Sequence, residues 1–149
     1  MKHKLDIKAG FEYLSTAYPN AQTELTYENE FQLLIAVILS AQCTDARVNL
    51  TTPALFKKFP TSEKLAKAKP SDVEKLIRSC GFYRQKTKSI LSAAQDIADK
   101  FKGRVPRTME ELTSLRGVGR KTASVVINQA FDLPAIAVDT HVSRVSQRL

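Results

Sequence analysis

Apolar residues recur along this chain at helical spacing, and no stretch alternates apolar and polar positions at period two. Ile7, Phe11, Leu14 and Ala17 mark one face of a first helix over Ile7 to Tyr18. A turn-rich, acidic stretch from Pro19 to Glu30 follows and reads as a crossing between lobes. Phe31 to Leu39 is apolar on nearly every side, the mark of a helix enclosed by others. Thr44 suits the N-cap of the next helix, with Asp45 in the first turn where the helix dipole favours an acid. That helix carries Val48, Leu50, Leu55 and Phe56; Pro53 inside it lacks an N–H and predicts a kink or a break.

Short helices follow in quick succession. One starts at Thr61 or Ser62, runs through Leu65 and is closed by Pro70. Ser71 and Glu74 have the spacing of a capping box ahead of Val73, Leu76 and Ile77, and Gly81 suits a left-handed C-cap. Arg84 to Phe101 is a long helix whose stripe is Ile90, Ala94, Ile97, Ala98 and Phe101, with Lys86, Lys88 and Lys100 off it. Gly103 and Pro106 interrupt, and Thr108 with Glu111 spells a second capping box before a helix reaching Leu115. The pattern is all-α, many short helices without an internal repeat.

Composition narrows the picture. A chain of 149 residues can bury one sizeable core or two small lobes. It has 23 basic and 15 acidic residues; residues 1–30 hold three basic and five acidic, so the positive field belongs to the chain beyond Glu30. Such a field suits a polyanion, or simply keeps helical surfaces solvated. Cys43 and Cys80 have neither disulfide nor zinc spacing and read as small apolar residues of a reducing cytoplasm. No apolar segment resembles a secretory leader, and the longest apolar run, Phe31 to Ala41, is too short to span a bilayer; no membrane partner is expected.

The candidate chemistry lies between Leu112 and His141. Leu115-Arg116-Gly117-Val118-Gly119 runs straight into a helix bearing Arg120, Lys121 and Thr122. Glycines let a backbone approach a phosphate, and the following helix adds its positive end. The same glycines also suit a tight helix–helix turn made only for packing, and from this segment alone both readings stand.

Leu115 to Ala123, with Ala137-Val138-Asp139-Thr140-His141-Val142, resembles the endonuclease III family of helix–hairpin–helix DNA glycosylases. Leu33 to Asp45 and Gly81 to Lys88 resemble it too, so the likeness runs from about Glu30 to the last residue. The resemblance implies a helix–hairpin–helix motif at about 108–131 within a helical domain of 25–133. A second helical domain of 1–24 plus 134–149 would be incomplete. It implies base excision repair by a bifunctional enzyme. An oxidised pyrimidine is flipped from duplex DNA, Lys121 attacks C1′ and forms a Schiff base, and β-elimination then cuts the strand. Asp139 takes the position of the family's catalytic aspartate. A lysine must lose its proton before attacking; a helix N-terminus, Arg120 and partial burial all disfavour the ammonium, whereas a nearby carboxylate favours it. The role left for Asp139 is proton handling or stabilisation of the sugar cation, and it also suits the N-cap of the helix after it.

By the same resemblance Gln42 fills the gap left by the flipped nucleotide and Phe82 takes the place of an apolar wedge, usually leucine. Phe82 suits a core position equally well. Gly117, Val118, Gly119, Arg120 and Thr122 contact DNA, while Asp45 lies beside the pocket and His141 hydrogen-bonds around the reacting groups. Duplex DNA with oxidised pyrimidines or abasic sites is the implied partner of a monomeric protein associated with a bacterial nucleoid.

Two departures stand out. Arg116 replaces the usual proline of the hairpin. The family carries a 4Fe–4S cluster on four cysteines, which would lie beyond Leu149, so no cluster is expected on this chain. The sequence therefore reads as C-terminally truncated, with the apolar faces of Ile7 to Tyr18 and Val142 to Leu149 lacking partners. A non-catalytic helix–hairpin–helix DNA-binding fragment and a monofunctional glycosylase are the alternatives, the latter disfavoured by Lys121.

Overall fold

The computed structural model describes residues 6–148, which form nine α-helices and, among the described residues, no strand. They are α1 (Ile7–Ala17), α2 (Glu30–Leu39), α3 (Asp45–Lys58), α4 (Ser62–Ala66), α5 (Pro70–Ile77), α6 (Tyr83–Lys100), α7 (Met109–Thr113), α8 (Arg120–Phe131) and α9 (Thr140–Arg148). The chain divides into two compact units, Glu24–Ala137 and Met1–Thr23 with Val138–Leu149.

The larger unit is built around α2. Asn29 caps it by accepting from the Gln32 N–H at 2.9 Å, and every residue from Phe31 to Leu39 is buried. Burial on all sides fits its nearly unbroken apolar sequence, each leucine or isoleucine contributing about 1.5–3 kcal/mol. Helices α3, α6 and α8 pack against α2, while α4 and α5 lie on α6 and α7 lies on α8. Thr44 caps α3 by accepting from the Arg47 N–H, and Asp45 stands in its first turn. Thr108 caps α7 by accepting from the Glu111 N–H at 3.2 Å, and its hydroxyl donates to the Glu111 carboxylate at 2.9 Å, in place of the backbone N–H bond that a capping box would add.

Several expectations are corrected. Pro53 neither breaks nor ends α3, because buried Thr51, Thr52, Leu55 and Phe56 hold both halves of the helix to the core. Of the apolar residues that α3 carries, Val48, Leu55 and Phe56 are buried, whereas Leu50 is 74 % exposed. Pro70 opens α5 rather than only closing α4; its fixed φ and missing N–H suit a first helical position. That earlier start places Ser71 inside the helix, and no side chain caps α5. Gly81 is not left-handed; α5 has already ended at Ile77, and the left-handed residue is the next one, Phe82. Lys86, placed off the apolar stripe of α6, is buried.

In the smaller unit, Asp6 caps α1 by accepting from the Lys8 and Ala9 N–H groups. Neither α1 nor α9 has a buried residue, and Ile7, Phe11, Leu14, Val142 and Val145 are exposed. Among the described residues no helix is long and apolar enough to cross a membrane.

Candidate nucleic-acid interface and active site

The hairpin Ser114–Gly119 joins α7 to α8 and is pinned from inside. Leu115 and Val118 are buried, and the Val118 N–H donates to the Leu115 carbonyl at 3.2 Å. Val118, expected among the DNA contacts, therefore spends its side chain and its N–H on the protein. The two glycines differ. Gly117 has φ +79°, and a Cβ there would stand 2.6 Å from the Ser89 Cβ. Gly119 has φ −91°, and a Cβ on it would meet nothing within 4 Å. Gly117 is thus required by packing and backbone conformation, whereas Gly119 faces open space.

Gly119 is the N-cap of α8, no side chain caps that helix, and its first turn carries no acid. Arg120 and Lys121 follow directly, both exposed, with Thr122 half-buried behind them. An uncapped helix end flanked by two cations is a ready anion site. The partial burial expected for Lys121 is not found; its side chain is exposed.

Gln42 and Phe82 lie in the same unit, each on a loop. Both have left-handed backbones, φ 52° and 56°. Such a conformation is uncommon for residues with a side chain and concentrates at functional loops. Gln42 is exposed and Phe82 is 68 % exposed, so the core alternative for Phe82 is overturned. The two loops meet: the Gln42 carbonyl lies 3.5 Å from the position of a Cβ on Gly81. A cavity of about 340 Å³ opens here, lined by Gln42, Phe82, Gln85, Lys86, Ser89 and Gly117 among others. Sequence reasoning missed Lys86. Its spacing of four and eleven from Ile90 and Ile97 places it on the stripe, but its charge puts it off the stripe when only apolar residues are counted.

Asp139 belongs to the smaller unit. Its Oδ1 accepts from the Val142 N–H at 2.8 Å, so it caps α9 as its position suggested. His141 is exposed, with Nδ1 3.1 Å from an Arg144 guanidinium nitrogen.

Cys43 is half-buried and Cys80 buried, and among the described residues no three His, Cys, Asp or Glu side chains are grouped to hold a metal ion. The two thiols present do not fit an iron–sulfur cluster. Burial pushes the Cys80 thiol up, only partly offset by its contact with Thr51 Oγ1 at 3.8 Å. At pH 8 Cys80 is expected to be alkylated at least about tenfold more slowly than Cys43, the difference vanishing in denaturant; mass spectrometry after timed iodoacetamide treatment checks this.

Helices meeting at a glycine hairpin, with an uncapped cationic helix end beyond it, define a helix–hairpin–helix motif. The family model of HhH-GPD superfamily base excision DNA repair proteins matches residues 35–149. Endonuclease III of Synechocystis sp. is 52% identical over 137 residues, covering 91% of this chain and 63% of the relative. Endonuclease III of Bacillus subtilis is 49% identical over 132 residues, 89% of this chain and 60% of that protein. A structure described as a trapped endonuclease III–DNA covalent intermediate matches with a TM-score of 0.92 at 48% identity, over 100% of this chain and 70% of that one. The chain belongs to the endonuclease III family. It spans 60% and 63% of the length of the two relatives named.

Proposed function

We propose that this protein is a base excision repair glycosylase with lyase activity, acting on oxidised pyrimidines or abasic sites in duplex DNA. The observation that carries it is the uncapped N-terminus of α8, which presents Arg120 and Lys121 behind a glycine with open space before it. On this reading the free N–H groups and Arg120 hold a phosphate, which positions the strand without reading its sequence. Gln42 and Phe82 enter the duplex, the first filling the gap and the second wedging apart a base step. The Lys121 amine, once deprotonated, forms a bond to C1′ as the C1′–N bond to the base breaks. The sugar ring opens to a Schiff base, loss of a C2′ proton expels the 3′ phosphate, and water then releases the lysine. Asp139 takes part through its carboxylate, by handling a proton or stabilising the sugar cation, while its Oδ1 keeps the cap of α9. Asp45 and His141 act around the reacting groups, not on them. The protein works as a monomer in the bacterial cytoplasm, at the nucleoid.

Borohydride reduction on a duplex with one abasic site tests the reading: a covalent protein–DNA adduct is expected, and its absence from folded, DNA-bound protein overturns it. Binding should also weaken about tenfold between 0.1 and 0.2 M salt if some four phosphates are neutralised; a flat response removes the phosphate role of the hairpin. One observation favours the non-catalytic alternative. Helix α9, which Asp139 caps, has no buried residue to fasten it. DNA binding without an adduct is the outcome that reading expects.

A further inference from the structure

Cys43 and Cys80 lie far apart in sequence, yet the fold brings their thiols within interaction range of each other. Cys43 follows Gln42 and Cys80 precedes Gly81, and the Gln42 carbonyl lies 3.5 Å from where a Cβ on Gly81 would stand. Both backbones are fixed at helix ends. The Cys43 N–H donates to the Ser40 carbonyl at 3.1 Å, and the Cys80 N–H to the Ile77 carbonyl at 2.9 Å. Burial pushes the Cys80 thiol up and the Cys43 thiol adds to the rise, whereas the Thr51 hydroxyl and the Lys86 ammonium draw it down. Lys86 is itself 6 % exposed, and its Nζ has no hydrogen-bond partner. Burying an ammonium without an acceptor is expensive, and a folded protein keeps one where something else supplies the acceptor. An anionic sulfur on the neighbouring cysteines is such an acceptor.

We infer that Cys43 and Cys80 are a redox-sensitive dithiol, which hydrogen peroxide closes to a disulfide joining the two loops. Cys43 is half-buried and meets the oxidant first; Cys80, 1 % exposed, resolves the product. The Cys43 thiolate attacks peroxide, an S–O bond forming as the O–O bond breaks, and the departing hydroxide takes up a proton to leave as water. The Cys80 sulfur then attacks the Cys43 sulfur. An S–S bond forms as the S–O bond breaks, and the hydroxyl leaves with the Cys80 proton as a second water. The two thiols together lose two electrons and the peroxide gains them. Lys86 is a positioning residue here, its ammonium holding negative charge on sulfur during both displacements. A dithiol reductant reverses the closure by exchange. The bond draws the sulfurs to about 2.05 Å, well inside their contact distance. Cys80 is held in the core, so the movement falls on the exposed turn at Gln42, beside Phe82. The consequence for DNA rests on the proposed entry of those two residues into the duplex: displaced, they bind it less tightly.

The test treats the reduced chain with hydrogen peroxide and follows peptide masses beside fluorescence anisotropy on a duplex carrying an abasic analogue. A peptide linking Cys43 to Cys80 is expected, about 2 Da lighter than the sum of its reduced parts. Duplex binding should weaken about tenfold, on the order of one lost stacking contact, and return with dithiothreitol. Cys43→Ser, altered at a half-buried position, should fold and lose every response of binding to peroxide. Lys86→Met should reach the same linked product about tenfold more slowly, which a purely structural lysine would not cause. Sulfinic acid on Cys43 with Cys80 intact, or a disulfide between two chains, shows that the thiols do not reach each other and overturns the inference. A linked chain that binds as tightly as the reduced one overturns it too. If the reduced chain binds no abasic duplex, the proposed function fails instead. The linked peptide and the rate in Lys86→Met then decide the dithiol without reference to DNA.

Discussion

Lys121→Ala is expected to lower borohydride-trapped adduct by about a thousandfold or more while leaving binding to abasic duplex within a few-fold of wild type. On the proposed mechanism the nucleophile is a single amine, and the neighbouring Arg120 has no comparable route to a Schiff base at neutral pH. Binding is expected to survive because the groups proposed to hold the phosphate are largely the backbone of the α8 N-terminus, which the substitution leaves in place. Folding survives because the Lys121 side chain is exposed and packs into nothing buried. Asp139→Asn supplies the contrast. Asparagine caps a helix about as well as aspartate, so the bond from the Val142 N–H is kept and melting should be unchanged. If the carboxylate charge is what the reaction needs, turnover falls steeply all the same. Asp139→Asn with full activity would leave that residue only its cap. Adduct formed by Lys121→Ala would move the nucleophile elsewhere.

Gly117→Ala and Gly119→Ala should part company, although they stand two residues apart in one turn. At Gly117 an alanine meets a left-handed backbone and the Ser89 Cβ at 2.6 Å. The conformational cost of about 1–2 kcal/mol and overpacking of about 1–3 kcal/mol add to a fall in melting temperature on the order of 10 °C. At Gly119 the new methyl meets nothing. The lost N-cap preference and the gain from a stiffer unfolded chain nearly cancel, so stability should stay within about 0.5 kcal/mol. Duplex binding should nonetheless drop about tenfold, because the methyl occupies the space through which a phosphate would approach. Thermal melting and anisotropy on the same two variants check both halves. Equal destabilisation at both sites would return the turn to a packing device.

This pair also marks how far residue patterns reach. Spacing identified the hairpin, the cap at Thr108 and the enclosed helix α2, because those depend on local caps and on periodicity over neighbouring turns. The family likeness of Leu115 to Ala123 and of Ala137 to Val142 named Lys121 and Asp139, and the membership that follows needed no coordinates. The same patterns misjudged the start of α5, the left-handed cap at Gly81 and the place of Lys86. Each of those depends on which neighbour fills the space beside the residue, and that neighbour comes from a distant part of the chain.

Helical class, the basic field beyond Glu30 and the lysine at the head of α8 were thus properties of the linear chain, since charge, cap preference and apolar period are carried by residues close in sequence. The tertiary structure decided what sequence left open. Ser89, from α6, makes Gly117 obligatory and leaves Gly119 free. The loops of Gln42 and Phe82, forty residues apart, close over a buried lysine with no acceptor. No local rule contains either fact, because both arise where segments remote in the chain compete for the same few ångströms.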